Sequence, residues 1–191
     1  MRQMPALTDY DNILNVSVLG VRGQAARHIA LIDSEPSLNL EKVYHPTLNS
    51  EQLPLTNDLD SCMESDAIII ASPTNVHREH IEILLDYSGY IFLEKPGFGT
   101  RADIDWAIEL PDDLKSRIKV NFNLEFNPVA NALKSALKAF QIGDPIHATF
   151  ETNHGGAYKQ DWRNSWRTND PLSGPIYTVG IHYVHWLTLI F

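Results

Sequence analysis

The sequence predicts an α/β chain in which a doubly wound parallel sheet is followed by an incomplete α+β domain. Three observations predict it. Short β-rich runs alternate with segments of helical period through the first two-thirds of the chain, Gly or Pro punctuates most of the joins, and the rhythm changes after Gly143. Strands that alternate with helices are joined most simply by crossovers, which make the sheet parallel and cover both of its faces.

Ile13–Leu19 is short, β-rich and closed by Gly20, and Gln24–Ile32 then has amphipathic helical spacing. A second strand is expected over Glu41–His45, stopped by Pro46, and a buried one over Asp66–Ala71, ended by Pro73. Val76–Tyr87 places Val76, His80, Ile83, Leu84 and Tyr87 on one helical face. After Gly89, Tyr90–Leu93 reads as strand, Asp103–Leu110 as helix and Ile118–Phe122 as strand. Pro128–Phe140 reads as a helix with Leu133, Leu137 and Phe140 inward, closed by Gly143. Pro145–Thr152 is strand-like, Tyr158–Arg167 is rich in Trp and Arg, and Gly174–Phe191 has the look of a final apolar helix. A boundary near Asn121–Pro128 divides the chain into domains over residues 1–122 and 123–191. The sequence stops at Ile190-Phe191 inside an apolar segment, which suggests a truncated gene, a fragment, or a chain whose end is covered by a partner.

The composition is that of a globular domain, 43% hydrophobic and 20% charged. A formal charge of −9 disfavours nucleic acid, whose nonspecific binding depends on clustered Lys and Arg. Met1–Asp11 has none of the parts of a secretory signal, and the apolar runs are too short to span a bilayer, so a cytoplasmic protein without a membrane partner is expected. The lone Cys62 agrees with a reducing compartment and reads as a small buried hydrophobe.

Gly20-Val21-Arg22-Gly23-Gln24-Ala25 lies between a strand and a helix, where a Rossmann-like fold needs a tight-turn glycine, close backbone approach to a pyrophosphate and a small residue for helix–strand packing. Gly20 and Ala25 fit the first and third places. Arg22 takes the second, with Gly23 displaced by one residue. A turn glycine before an ordinary helix accounts for the segment equally well. No acidic residue stands about 20 positions later, where it would hold the ribose 2′-hydroxyl of NAD, so NAD and NADP both stay open. Ser72-Pro73-Thr74-Asn75-Val76-His77 and Glu94-Lys95-Pro96 each follow an expected buried strand, which puts both at the carboxyl edge of the sheet, where open α/β folds bind ligands.

These two loops and their spacing resemble the glucose-fructose oxidoreductase/inositol dehydrogenase (Gfo/Idh/MocA) family. His28 continues the likeness, as do Asn123, Phe126 and Pro128 in an Asn-x-Arg-Phe-x-Pro-like segment, Trp166-Arg167 and Gly180-Ile181-His182. The resemblance implies an NAD- or NADP-dependent oxidoreductase acting on a sugar, nucleotide-sugar or polyol hydroxyl, with a homo-oligomer built through the second domain. It makes Lys95 a catalytic residue that stabilises an alkoxide, and His182 the acceptor of the hydroxyl proton. Glu94 would fix Lys95 and the nicotinamide ribose, and Pro96, after a cis peptide, would aim the lysine. Gly20, Arg22, Gly23, Gln24, Ala25, Ser72, Pro73, Thr74, Asn75, His77 and Asn123 complete the implied cofactor site, and Gly20, Thr74 and Lys95 should share one rim of the sheet.

This sequence departs from the family's pattern at four points, one of them the glycine-rich run before Thr178, which is reduced to Ser173-Gly174-Pro175. Thr178 stands where the family has an aspartate four residues before the histidine, His185 where it has an acid, and Glu125 where it has the arginine of its Asn-x-Arg-Phe segment. A noncatalytic dinucleotide-binding homologue is therefore a second reading. His182 and His185 share a helical face but lack a third ligand of plausible spacing, so no metal is expected. His45, His80, His147 and His154 form no ligand pattern, and Trp162-Arg163 and Trp166-Arg167 suit stacking or packing equally.

Overall fold

A computed structural model of the chain describes residues 13–48, 51–140, 143–152, 174 and 176–191. The chain divides into two compact units, Met1–Val120 and Asn121–Phe191. The Trp- and Arg-rich stretch and His154 lie outside the described residues.

The first unit runs β1 (Leu14–Leu19), α1 (Gln24–Ser34), β2 (Leu38–Tyr44), β3 (Leu55–Thr56), β4 (Ala67–Ile70), α2 (His77–Ile83), β5 (Tyr90–Glu94), α3 (Arg101–Ile108), α4 (Asp112–Arg117) and β6 (Ile118–Asn121). The sheet order is β3-β2-β1-β4-β5-β6, and the pairs β2/β3, β1/β2, β1/β4 and β4/β5 are parallel. Between β1 and β4 the strand order reverses, and open α/β sheets bind ligands in the crevice at such a switch point.

Alternate residues of the central strands supply two cores, one on each face. Val16 and Val18 of β1 pack with Ala25, Ile29 and Ile32 of α1 and with Val43 of β2. Leu19, Ile68, Ile70, Ile91 and Leu93 face the other way, against Ile81, Leu84, Tyr87, Leu110 and Leu114. Cys62 is fully buried in this second core, and burial pushes its thiol pKa up, which suits an inert packing residue.

Several elements differ from their expected form. The α2 helix is short, preceded by a tight turn over Thr74–Val76, and it buries His77, His80 and Ile81 while Ile83 stays exposed. His80, Leu84 and Tyr87 of the expected inner face are buried, whereas Val76 is half-buried in the tight turn before the helix and Ile83 faces solvent. The sequence reading missed β3, a two-residue edge strand, and α4, which starts behind Pro111 with Asp112 and Asp113 in its first turn.

In the second unit a single turn over Asn123–Phe126 leads into α5 (Pro128–Lys138), capped by the Asn127 side chain accepting from Val129 N, with Pro128 in the first turn. Phe140 was expected inward but is 77% exposed and lies beyond the helix with φ 52°. Pro145–Thr152, expected as strand, pairs with no strand among the described residues. A wide π turn over Ile176–Gly180 continues into α6 (Ile181–Ile190). Among the described residues no helix is long and apolar enough to cross a membrane.

Candidate functional site

The register levels the strand ends. Leu19 pairs with both Tyr44 and Ile70, and Ile70 pairs with Leu93, so Gly20, His45, Ala71 and Glu94 follow one another along a single rim. Backbone bonds close that rim: Gly20 N donates to Tyr44 O (3.1 Å) and Ala71 N to Leu19 O (3.0 Å). The loops carrying Gly20–Ala25, Ser72–Asn75 and Glu94–Pro96 all leave the sheet on this side.

Gly20 has φ +119°, and a Cβ there would lie 2.9 Å from Ala71 O and 3.3 Å from the Ala25 methyl. Both small residues let α1 approach the sheet, and Ala25 is fully buried. Gly23, the N-cap of α1, has φ +60° and open space where a side chain would go. No acidic residue stands in the first turn of α1, and no side chain caps it. A bare glycine cap opening an 11-residue helix onto free space fits a pyrophosphate, which the helix dipole and the first-turn amides attract. Arg22 is exposed at this loop, while Gln24 accepts a bond from Arg27 (3.2 Å). At the end of β2 the His45 ring accepts at Nδ1 from the amides of Thr47 and Leu48 (3.2 and 3.1 Å), so no carboxylate there selects NAD over NADP.

Along the loop after β4, Pro73 and Asn75 are exposed, and Ser72 and Thr74 are half-buried. His77, expected in the cofactor site, is 1% exposed in the ligand-free chain, with Nδ1 3.0 Å from Gly97 O and Nε2 3.0 Å from Ser72 O. Burial draws its pKa below the usual imidazole value, against the pull of those two carbonyls. His80, 7% exposed, meets the Ser72 hydroxyl (3.0 Å), and burial lowers its pKa to about 4.

Glu94 ends β5 almost fully buried and bonds His28 Nε2 of α1 at 2.8 Å. That contact joins the helix of the glycine turn to the loop of Lys95, with His28 on the α1 face beside Phe92 (5.8 Å, edge on). Lys95 is half-buried and Pro96 buried, and their peptide bond is cis. The sequence resemblance marked His28 without giving it a role, and passed over His80 and Tyr44, since contacts across tens of residues leave no local spacing signal.

In the second unit Asn123 is exposed. His182 on α6 is 6% exposed, edge on to Phe122 (6.1 Å). One turn before it, the Thr178 hydroxyl donates to Gly174 O (2.7 Å). His185 stacks on Phe122 (4.1 Å, 11°) and bonds Glu125 (2.9 Å), which also pairs with Lys134 (2.7 Å). Lys134 and then His185 hold the Glu125 carboxyl below the usual range.

Residues 14–122 match the GFO_IDH_MocA family, an oxidoreductase family with an NAD-binding Rossmann fold. The chain belongs to that family. This Gfo/Idh/MocA chain is 26% identical over 104 residues to inositol 2-dehydrogenase of Rhizobium meliloti (strain 1021), covering 54% of its own length and 32% of that protein. It is 24% identical over 187 residues to glucose-6-phosphate 3-dehydrogenase of Bacillus subtilis (strain 168), covering 92% of its own length and 53% of that protein. The chain thus spans between 32% and 53% of these curated relatives. Scyllo-inositol dehydrogenase from Lactobacillus casei with bound NAD(H) and scyllo-inositol shares the fold with a TM-score of 0.62 at 18% identity, over 70% of this chain and 43% of that one. An NAD-binding protein from Listeria innocua does so with a TM-score of 0.66 at 17% identity, over 94% and 55%.

Proposed function

We propose that this Gfo/Idh/MocA chain forms the nucleotide-binding part of an oxidoreductase that moves a hydride between the nicotinamide of NAD or NADP and a sugar, nucleotide-sugar or polyol hydroxyl. The observation that carries the reading is the level rim: the Gly20, Ser72 and Glu94 loops leave neighbouring parallel strands at one height, beside the switch point. The substrate class rests on the inositol and glucose-6-phosphate dehydrogenases among the relatives.

Each residue then has a task. The nicotinamide supplies the hydride chemistry when bound. Gly20 and Gly23 let backbone approach the pyrophosphate, and the α1 amides bind it. Lys95 stabilises the alkoxide that develops on the reacting hydroxyl, and Glu94, held by His28, orients it. His182 is the base of the second unit. A noncatalytic dinucleotide-binding homologue is the second reading, and one observation favours it. Thr178 cannot ionise, and its hydroxyl is engaged with Gly174 O, so no carboxylate at that position tunes His182.

The deciding measurement titrates the chain with NADH and NADPH, following Trp quenching and nicotinamide emission, and then tests turnover on a panel of sugars, nucleotide sugars and polyols. Binding with turnover is expected. Binding without turnover on any substrate would favour the second reading, and absence of binding would defeat both. Lys95→Ala should lower turnover by about 100-fold or more while keeping most nucleotide affinity, because its charge acts mainly in the transition state. An unchanged rate would remove Lys95 from the mechanism.

A further inference from the structure

The end of the second strand is where a dinucleotide fold meets the adenosine ribose, and a carboxylate there accepts from the 2′-hydroxyl of NAD. This chain puts an imidazole at that place. Leu19 pairs with Tyr44, so His45 follows β2 at the height at which Gly20 follows β1, and the Gly20 amide donates to Tyr44 O (3.1 Å). On its other side the His45 amide donates to Thr56 O, at the end of β3 (2.9 Å), which fixes its backbone on the rim.

The ring has a definite polarity. The backbone amides of Thr47 and Leu48 both donate to Nδ1 (3.2 and 3.1 Å), and a nitrogen that accepts carries no hydrogen. The neutral ring therefore bears its single proton on Nε2. That nitrogen is a donor only, it meets no acceptor among the described residues, and the half-buried ring is reachable from solvent. A 2′-hydroxyl would accept from it as a neutral partner. A 2′-phosphate accepts with charge as well, and a charge-assisted hydrogen bond is roughly twice as strong as a neutral one.

A cation stands on the neighbouring loop. Arg22 is exposed two residues beyond Gly20, and residues 20–25 and 45–48 contain no acid. Asp58, two residues beyond β3, has its Oδ1 accepting from Asp60 N (3.2 Å). An arginine near this strand end accommodates a 2′-phosphate in dinucleotide folds.

We propose that His45 and Arg22 form a 2′-phosphate subsite, so that this chain takes NADP(H) in preference to NAD(H). The inference rests on the proposed function, which lays a dinucleotide along this rim, and adds which of the two nucleotides it is. His45 supplies the directed donor, and Arg22 supplies the charge.

Titrating the chain with NADPH and with NADH at about 0.15 M salt, followed by nicotinamide emission, tests it. NADPH should bind about tenfold or more tighter, the effect of charge-assisted hydrogen bonds to the phosphate. Equal affinities, or tighter NADH, would overturn the subsite and leave the proposed function standing. Binding of neither nucleotide would overturn the proposed function and the subsite with it. His45→Asp separates turn from ligand, because an aspartate accepts from backbone amides in the same way and so keeps the turn while presenting a carboxylate to the phosphate. It should weaken NADPH about tenfold or more and leave NADH within about threefold of wild type, or tighter. Arg22→Gln should weaken NADPH about tenfold and NADH by less than about threefold. Equal weakening of both would put Arg22 on the pyrophosphate, which the two nucleotides share, and overturn its part in the subsite. Wild-type NADPH affinity in both variants would overturn the subsite as a whole. Should His45→Asp not fold, the wild-type ratio and Arg22→Gln decide.

Discussion

Gly20 and Gly23 both have positive φ, yet a side chain meets different surroundings at each. At Gly20 a methyl would press on Ala71 O at 2.9 Å with φ at +119°, so Gly20→Ala should destabilise the first unit by roughly 1–3 kcal/mol. At Gly23 the methyl would enter open space, but φ +60° with ψ −117° lies outside the left-handed helical well and costs a non-glycine residue roughly 1–3 kcal/mol of backbone strain. Gly23→Ala should therefore lower the urea midpoint through backbone strain alone and, in the protein that stays folded, weaken nucleotide binding about tenfold, because the methyl occupies the approach to the helix amides. A Gly23→Ala chain that binds NADH and NADPH as tightly as wild type would place the nucleotide elsewhere. Gly20 and Ala25 were legible because a tight turn and a close helix leave a sequence trace at fixed spacing. The roles of His77 and His80 were not, since a histidine two residues past an Asn gives no sign that its ring will find carbonyls in two separate loops. His28 and Glu94 are 66 positions apart, and only the closed sheet brings them together.

At the scale of elements, β1, β4 and β5 were readable because both faces of a central parallel strand are covered, which demands an apolar run. The edge strand β3 needs no such run, and its two residues fall below any periodicity. The α4 helix was lost in a charged stretch whose only start signal is Pro111, followed by acids that suit a first turn. The second unit was read less well, because Pro145–Thr152 has β-rich composition without a partner strand among the described residues. Its clearest polar feature is the link between α5, α6 and the turn before them. Glu125 and His185, the two positions where this chain departs from the family's arginine and acid, contact each other, with Lys134 completing the group. The pair is partly exposed, so its worth is modest. A double-mutant cycle of Glu125→Gln and His185→Gln, read by thermal unfolding of the second unit's helical signal, should give a coupling near 1 kcal/mol. Strict additivity would mean that the two side chains meet without energetic consequence, and that His185 is held by its stack on Phe122 alone.

Over the whole molecule two electrostatic effects oppose each other as the pH falls. The chain carries −9 at neutral pH and is isoelectric near pH 5.2, so acidification relieves self-repulsion and favours the compact state. The buried histidines act the other way. His80, flanked by His77, Ser72 and Tyr44, stays neutral in the folded chain down to about pH 4, whereas the unfolded chain takes up that proton near pH 6.5. Between those values the unfolded state binds more protons, so stability rises with pH and is lost on acidification. The loss attributable to His80 reaches about 3 kcal/mol at the bottom of the window, and His77, lowered in the same direction, adds to it. Relief of dispersed surface charge is screened by salt, while a buried imidazole is not, so the histidines should win at physiological ionic strength. Unfolding free energies from urea titrations at 0.15 M salt should therefore fall between pH 6.5 and 4.5, before most carboxylates titrate. His80→Gln should flatten that slope. A chain that grows more stable over this range, or a His80→Gln variant with the wild-type slope, would show that the imidazole under the rim is solvated in the folded state and does not hold Ser72 in its neutral form.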